Sequence, residues 1–131
     1  SIQMGKTSKK KVLIVDDEPT VRQLVRRMLS KYYAMLEAQD GVEAVDMARS
    51  QKPDIILMDI LMPRMDGLTA CYVIKADQTT KEIPVVMLTA IGYDLNKQLS
   101  EEVMGADGYI TKPFNSRTLL KAIRQLLRNS E

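Results

Sequence analysis

Apolar runs and amphipathic stripes alternate along this chain. Lys11–Asp16 (KVLIVD) is a short, β-branched apolar run that ends in acid. Pro19 then opens a helix in which Val21, Leu24, Val25, Met28 and Leu29 recur at helical spacing. Tyr32–Ala38 reads as a weaker, mixed strand. Asp40-Gly41 is a turn, and Val42, Val45 and Ala48 stripe a second helix that reaches about Ser50 before Pro53 stops it. Asp54–Asp59 (DIILMD) is a third strand, again closed by acid. A loop with Pro63 and Asp66-Gly67 leads to a helix through Leu68, Cys71, Tyr72 and Ile74. Ile83–Leu88 (IPVVML) is a fourth strand, Asp94–Met104 a less apolar helix, and Tyr109–Thr111 a short fifth strand between Gly108 and Pro113. Asn115 or Ser116 caps a last helix that carries Leu119, Leu120, Ile123, Leu126 and Leu127.

This regular alternation predicts an α/β fold, a (βα)5 doubly wound parallel five-stranded sheet with helices on both faces. The first, third and fourth strands are apolar without a break, as strands covered on both sides should be. Residues 1–10 are polar and are expected to be a disordered lead, with Ser1-Ile2-Gln3 before Met4 reading as an expression scar. One domain is expected over 11–129. The last helix nearly reaches Glu131, which suits either a stand-alone protein or a piece cut from a longer one.

Composition narrows the chemistry. The 131 residues suit one core, and a net charge of +2, spread along the chain, gives no steer toward nucleic acid or membrane. No apolar run approaches the roughly 18 residues of a membrane span. The single cysteine, Cys71, is expected to be a small core residue, and a reducing cytoplasm is the natural setting. There is no histidine, which excludes imidazole catalysis and phosphohistidine. The nine methionines read as core filler.

In an open α/β sheet, ligands sit beyond the carboxyl ends of the strands, where strand order switches. For the order 2-1-3-4-5 that point lies between strands one and three, which end in Asp16-Asp17 and in Asp59. Three converging carboxylates repel one another unless a cation neutralises them. Oxygen ligands without His or Cys select magnesium or manganese. Thr89 and Lys112 close the fourth and fifth strands, adding a hydroxyl and an ammonium. Such a pocket suits a phosphoryl group whose charge spreads over its oxygens.

The segments VLIVDDEP, DIILMDILMPRMDG, VVMLTA and GADGYITKPF, in this order, make the chain resemble the receiver domain of two-component response regulators, a flavodoxin-like family. The resemblance covers about residues 10–129. It implies a signalling switch that catalyses only its own phosphorylation and dephosphorylation. Asp59 would accept phosphate from a histidine kinase or phosphotransfer protein. Asp16, Asp17, Asp59 and the backbone carbonyl of Leu61 would hold Mg2+, and Thr89 and Lys112 would bind phosphoryl oxygens. Lys112-Pro113 would be a cis peptide and Tyr109 the aromatic switch, with the fourth helix, fifth strand and fifth helix as the responsive face. Leu61 and Ile91 stand where the family positions the hydrolytic water; both are apolar, which implies a long-lived aspartyl phosphate. The first helix and nearby loops would dock the kinase. An output domain or effector is implied, without direct nucleic-acid binding by this domain. A phosphorylation-dependent homodimer stays open, because Thr118 and Ala122 replace charges that winged-helix regulators use for pairing.

Other readings fit less well. A pseudo-receiver usually lacks one of these acidic, threonine or lysine positions, and none is lost here. A haloacid dehalogenase-type phosphatase wants an acid two residues after its nucleophile, which around Asp16 is Glu18, but the chain is short for its cap domain. A flavodoxin's phosphate loop is rich in Ser, Thr and Gly, whereas Asp17-Glu18-Pro19 would repel phosphate. Tyr109 could also be an ordinary half-buried strand aromatic.

Overall fold

The computed structural model describes residues 8–90 and 105–130. In chain order its elements are β1 (Lys11–Val15), α1 (Pro19–Leu29), β2 (Ala34–Ala38), α2 (Gly41–Gln51), β3 (Ile55–Asp59), α3 (Gly67–Ala76), β4 (Val85–Ala90), β5 (Gly108–Lys112) and α4 (Ser116–Asn129). The expected helix Asp94–Met104 and Ile91 lie outside the described residues, as does most of the expected lead.

The sheet is parallel throughout, in the order β2-β1-β3-β4-β5. Alternation along each strand divides the core in two. Leu13, Val15, Ile56, Met58, Val85 and Met87 face α2 and α3. Val12, Ile14, Ile55, Leu57, Val86 and Leu88 face α1 and α4. β1 beyond Lys11 and all of β3 are buried, so each strand is apolar on both faces. β2 is an edge strand, which explains its mixed composition. Met58 and Met87 are fully buried, and Met62 and Met65 pack against the same core. Cys71 is buried too, and burial pushes its thiol up to about 11.

Three helices start on side-chain caps. Asp40, Asp66 and Asn115 accept hydrogen bonds from the N–H groups of Glu43, Thr69 and Thr118. The cap of α4 is therefore Asn115, not Ser116. α2 ends at Lys52, which takes a left-handed φ of 49° before Pro53.

Two helical stripes differ from expectation. Leu24 and Tyr72 share the apolar spacing of α1 and α3, yet they are 44% and 56% exposed. One residue along a helix is a turn of about 100°, so a partner one place from Val25 or Cys71 leaves the buried face. β4 also begins later and ends later than the run Ile83–Leu88. Pro84 has no N–H to give a ladder, whereas Thr89 and Ala90 pair with Thr111 and Lys112.

Candidate functional site

Register brings the acids together. Val15 pairs with Met58 across β1 and β3, so the residues that end these strands meet at one edge of the sheet. Asp16, Asp17 and Asp59 each offer a carboxylate oxygen within 4.8 Å of the others. Close backbone packing supports the arrangement. Gly67 donates its N–H to Ile60 O at 2.7 Å, and a Cβ on Gly67 would lie 2.1 Å from Asp59 O. Only glycine fits there.

The three carboxylates live in different surroundings. Asp16 is fully buried; its Oδ1 accepts the Glu18 N–H at 2.9 Å and its Oδ2 lies 3.2 Å from Lys112 Nζ. Asp59, 9% exposed, has Oδ1 3.3 Å from the same ammonium. Asp17 is exposed and has no hydrogen bond or ion pair among the described residues. Burial pushes the Asp59 carboxyl above its usual range; Lys112 opposes this and Asp16 reinforces it. Burial also works against the charge on Lys112, but Asp16 and Asp59 outweigh it and hold the ammonium above its usual pKa.

Among the described residues, one lysine against three carboxylates leaves a deficit of two positive charges when all are ionised. That matches a divalent cation, and a donor set of oxygen alone fits magnesium or manganese. Asp16, Asp17 and Asp59 are the residues that could hold it.

A cleft of 290 Å³ opens beside the acids, lined by Asp17, Glu18, Asp59, Leu61, Thr89 and Lys112 among others. Thr89 is 3% exposed, and among the described residues its hydroxyl makes a single long 3.5 Å contact, to Ala90 O. So weak a bond leaves the hydroxyl available to a better acceptor. Leu61 is 58% exposed at the cleft wall. The Lys112–Pro113 peptide is cis. Tyr109 does not line the cleft; it sits half-buried on β5, level with Met87, against the core on the α2 and α3 side.

The sequence reading missed Arg22. Its Nη1 donates to the backbone carbonyl of Asp16 at 2.7 Å while its Nε donates to Glu37 Oε1 at 2.9 Å. An arginine one turn after the acidic pair is visible in the sequence, but its partner on β2 becomes visible only once β1 and β2 are in register.

The comparisons with known proteins agree on one family. The sequence model of the response regulator receiver domain matches residues 12–124. The chain is 38% identical over 123 residues to the alkaline phosphatase synthesis transcriptional regulatory protein PhoP of Bacillus subtilis, covering 93% of this chain and 50% of that one. It is 37% identical over 122 residues to the DNA-binding dual master transcriptional regulator RpaA of Synechocystis, covering 92% and 50%. The chain thus spans about half the length of the curated relatives it matches. Among solved structures, the chemotaxis response regulator CheY4 of Vibrio cholerae superposes with a TM-score of 0.84 at 35% identity, covering 91% of this chain and 99% of that one. The receiver domain of a sensor histidine kinase from Pseudomonas aeruginosa, solved with a magnesium ion coordinated in its active-site cleft, gives 0.84 at 28% identity, covering 92% and 98%.

Proposed function

The chain belongs to the response regulator receiver domain family, and from that premise we propose that Asp59 is the phosphoacceptor of a two-component signalling switch. The observation that carries this reading is the Asp59 carboxylate, set among two further carboxylates and the Lys112 ammonium and lining a cleft that Thr89 and Lys112 also line. An Asp59 oxygen attacks the phosphorus of a phosphohistidine on a kinase or phosphotransfer protein. The P–O bond forms as the P–N bond breaks, and the imidazole leaves with the electron pair. Lys112, already 3.3 Å from Asp59, offsets the charge carried by the phosphoryl oxygens. The Thr89 hydroxyl donates to one of those oxygens once they are present. Asp16, Asp17, Asp59 and the Leu61 carbonyl hold Mg2+, which supplies the missing positive charge when bound.

Thr89 therefore gains a contact that exists only in the phosphorylated state, and such a differential contact is what can shift a conformational equilibrium. Tyr109, on the neighbouring strand, is the residue proposed to follow it, altering the surface beside β5 and α4. In this reading the domain turns over no external substrate, and the output comes from an effector or a further domain that Tyr109 and its surroundings influence.

The test is intact mass after incubation with acetyl phosphate. One phosphoryl group should be gained with Mg2+ and none with EDTA or in Asp59→Asn. Equal gain in Asp59→Asn would overturn the assignment. The exposed apolar side chain of Leu61 can neither hydrogen-bond nor activate a water. The phosphoryl group should therefore be long-lived, and Leu61→Asn should shorten its decay several-fold, by less than the ~1.4 kcal/mol that separates tenfold rates. Decay is followed after the donor is removed at fixed Mg2+.

A further inference from the structure

Of the two aspartates that line the cleft, Asp17 is the less supported. Asp16 is held at four points: its N–H donates to Ala38 O at 3.1 Å, its carbonyl accepts from Arg22 Nη1 at 2.7 Å, and its carboxylate accepts from Glu18 N and faces Lys112. Asp17, the next residue, has no such contacts among the described residues. Its direction depends on the peptide plane that precedes it. That plane contains the Asp16 carbonyl and the Asp17 N–H, and it is rigid. Whatever fixes the Asp16 carbonyl therefore leaves Asp17 only the rotations beyond its own nitrogen.

Arg22 is built to do this. Its side chain is 16% exposed, and its planar fork reaches two acceptors at once, the Asp16 carbonyl and Glu37 Oε1. Glu37 is itself fixed from the other side by Arg26, whose Nε and Nη2 both reach Oε2, at 2.8 and 2.6 Å. Burial works against the Glu37 charge, but the bonds from Arg26 and Arg22 outweigh it and hold the carboxyl below its usual range. The chain of contacts runs from α1 to β2 and back to the loop that carries the acidic pair.

We propose that Arg22, clamped by Glu37 and Arg26, is a positioning residue that orients Asp17 for the divalent cation. This rests on the metal-site reading above. Two effects of Arg22 have opposite sign. As a cation near the acids it repels the metal, though Glu37 neutralises much of that charge. As a clamp it preorganises a ligand. Outer-shell partners of metal ligands typically govern affinity by about 10- to 100-fold, and a surface loop falls at the lower end, so orientation outweighs the screened repulsion.

The experiment is Mn2+ binding to the intact chain, read from the loss of the free-ion EPR signal, with urea midpoints of each variant measured alongside. Arg22→Gln should weaken Mn2+ binding by roughly tenfold. Arg22→Lys keeps the charge but loses the fork, and should lie close to Arg22→Gln, not to wild type. Both outcomes should hold in variants whose folded fraction exceeds 95%; if Arg22→Gln does not fold, Arg22→Lys carries the test. Binding that tightens or stays unchanged in Arg22→Gln, or that returns to wild type in Arg22→Lys, overturns the clamp in favour of a charge effect or none. Wild-type chain that takes up no Mn2+ overturns the metal-site reading itself, an outcome distinct from equal binding by wild type and variant.

Discussion

Aspartates at the two ends of the same sheet do opposite things. At the N-terminal ends of the strands, Asp54 Oδ2 accepts the Lys11 N–H at 2.7 Å, and Asp107 Oδ2 accepts the Val85 N–H at 2.8 Å and pairs with Lys75 Nζ at 2.7 Å. Each satisfies a backbone donor at the start of a strand. At the C-terminal ends, Asp16 and Asp59 share Lys112 while Asp17 pairs with no cation among the described residues, and the three acids repel one another. The first group closes hydrogen-bond accounts that the fold leaves open; the second opens an electrostatic one that the fold does not close. Residue type alone does not separate structure from function here. What separates them is whether carboxylates crowd around one shared cation or each meets a backbone donor at a strand's start.

Truncation should break the comparison most sharply. Asp107→Ala leaves the Val85 N–H and the Lys75 ammonium without this partner, and should cost about 2 kcal/mol of stability. Phosphorylation by acetyl phosphate should be unaffected. Asp17→Ala should do the reverse: no loss of stability in the metal-free protein, and loss of phosphorylation. Urea midpoints and intact mass on the same samples check both. A shared pattern in the two variants would mean that the ends are not functionally distinct.

That division was partly legible in the sequence. The alternation of runs gave the strand and helix types, because continuous apolar strands and striped helices arise from burial and period alone. The acids after KVLIV and IILM were legible as a cluster because strand ends in a parallel sheet share an edge. Thr89 and Lys112 followed from the same rule. What the sequence did not carry was anything that needs register between distant segments. The Arg22–Glu37 contact depends on β1 lying beside β2. The tight seat of Gly67 depends on the backbone after Asp59 folding back over it. Leu24 and Tyr72 show the limit of period arguments, since a stripe's margin is set by the neighbour it meets. Asp107, read only as part of a family segment, proved to be a strand-end acceptor because β4 starts at Val85.

Metal addition should sharpen the contrast with a smaller effect. A ligand that binds only the folded state stabilises it by RT ln(1 + [L]/Kd), so Mg2+ at tenfold its Kd should add about 1.4 kcal/mol. For a domain of this size that is a rise in Tm of about 5 °C. Asp107→Ala should keep the full increment despite its lower starting point, and Asp17→Ala should lose most of it. An increment of equal size in Asp17→Ala would place the cation elsewhere.

The smallest effect concerns protons, and its sign follows from burial. The folded-state pKa of Asp59 is raised above its ordinary 3.8, chiefly by loss of water. Between the ordinary and the raised value the native state binds more protons than the unfolded chain, so stability falls as pH rises through that window. Above it, the ionised carboxylate is a net burden on the metal-free fold, because the Lys112 ammonium and the Ile60 N–H only partly offset its burial and its repulsion from Asp16. Asp59→Asn removes the charge and keeps the shape. In EDTA the variant should therefore be more stable than wild type near neutral pH, and the gap should narrow as pH falls through the raised pKa of Asp59. Asp54 accepts the Lys11 N–H and stands outside the acidic cluster, so Asp54→Asn should show no comparable gain. Urea midpoints from about pH 3.5 to 7.5 on all three proteins make the comparison. A wild type that is the more stable at neutral pH would mean that pairing with Lys112 outweighs burial and repulsion at Asp59, and that the C-terminal cluster is not under electrostatic strain before the metal arrives.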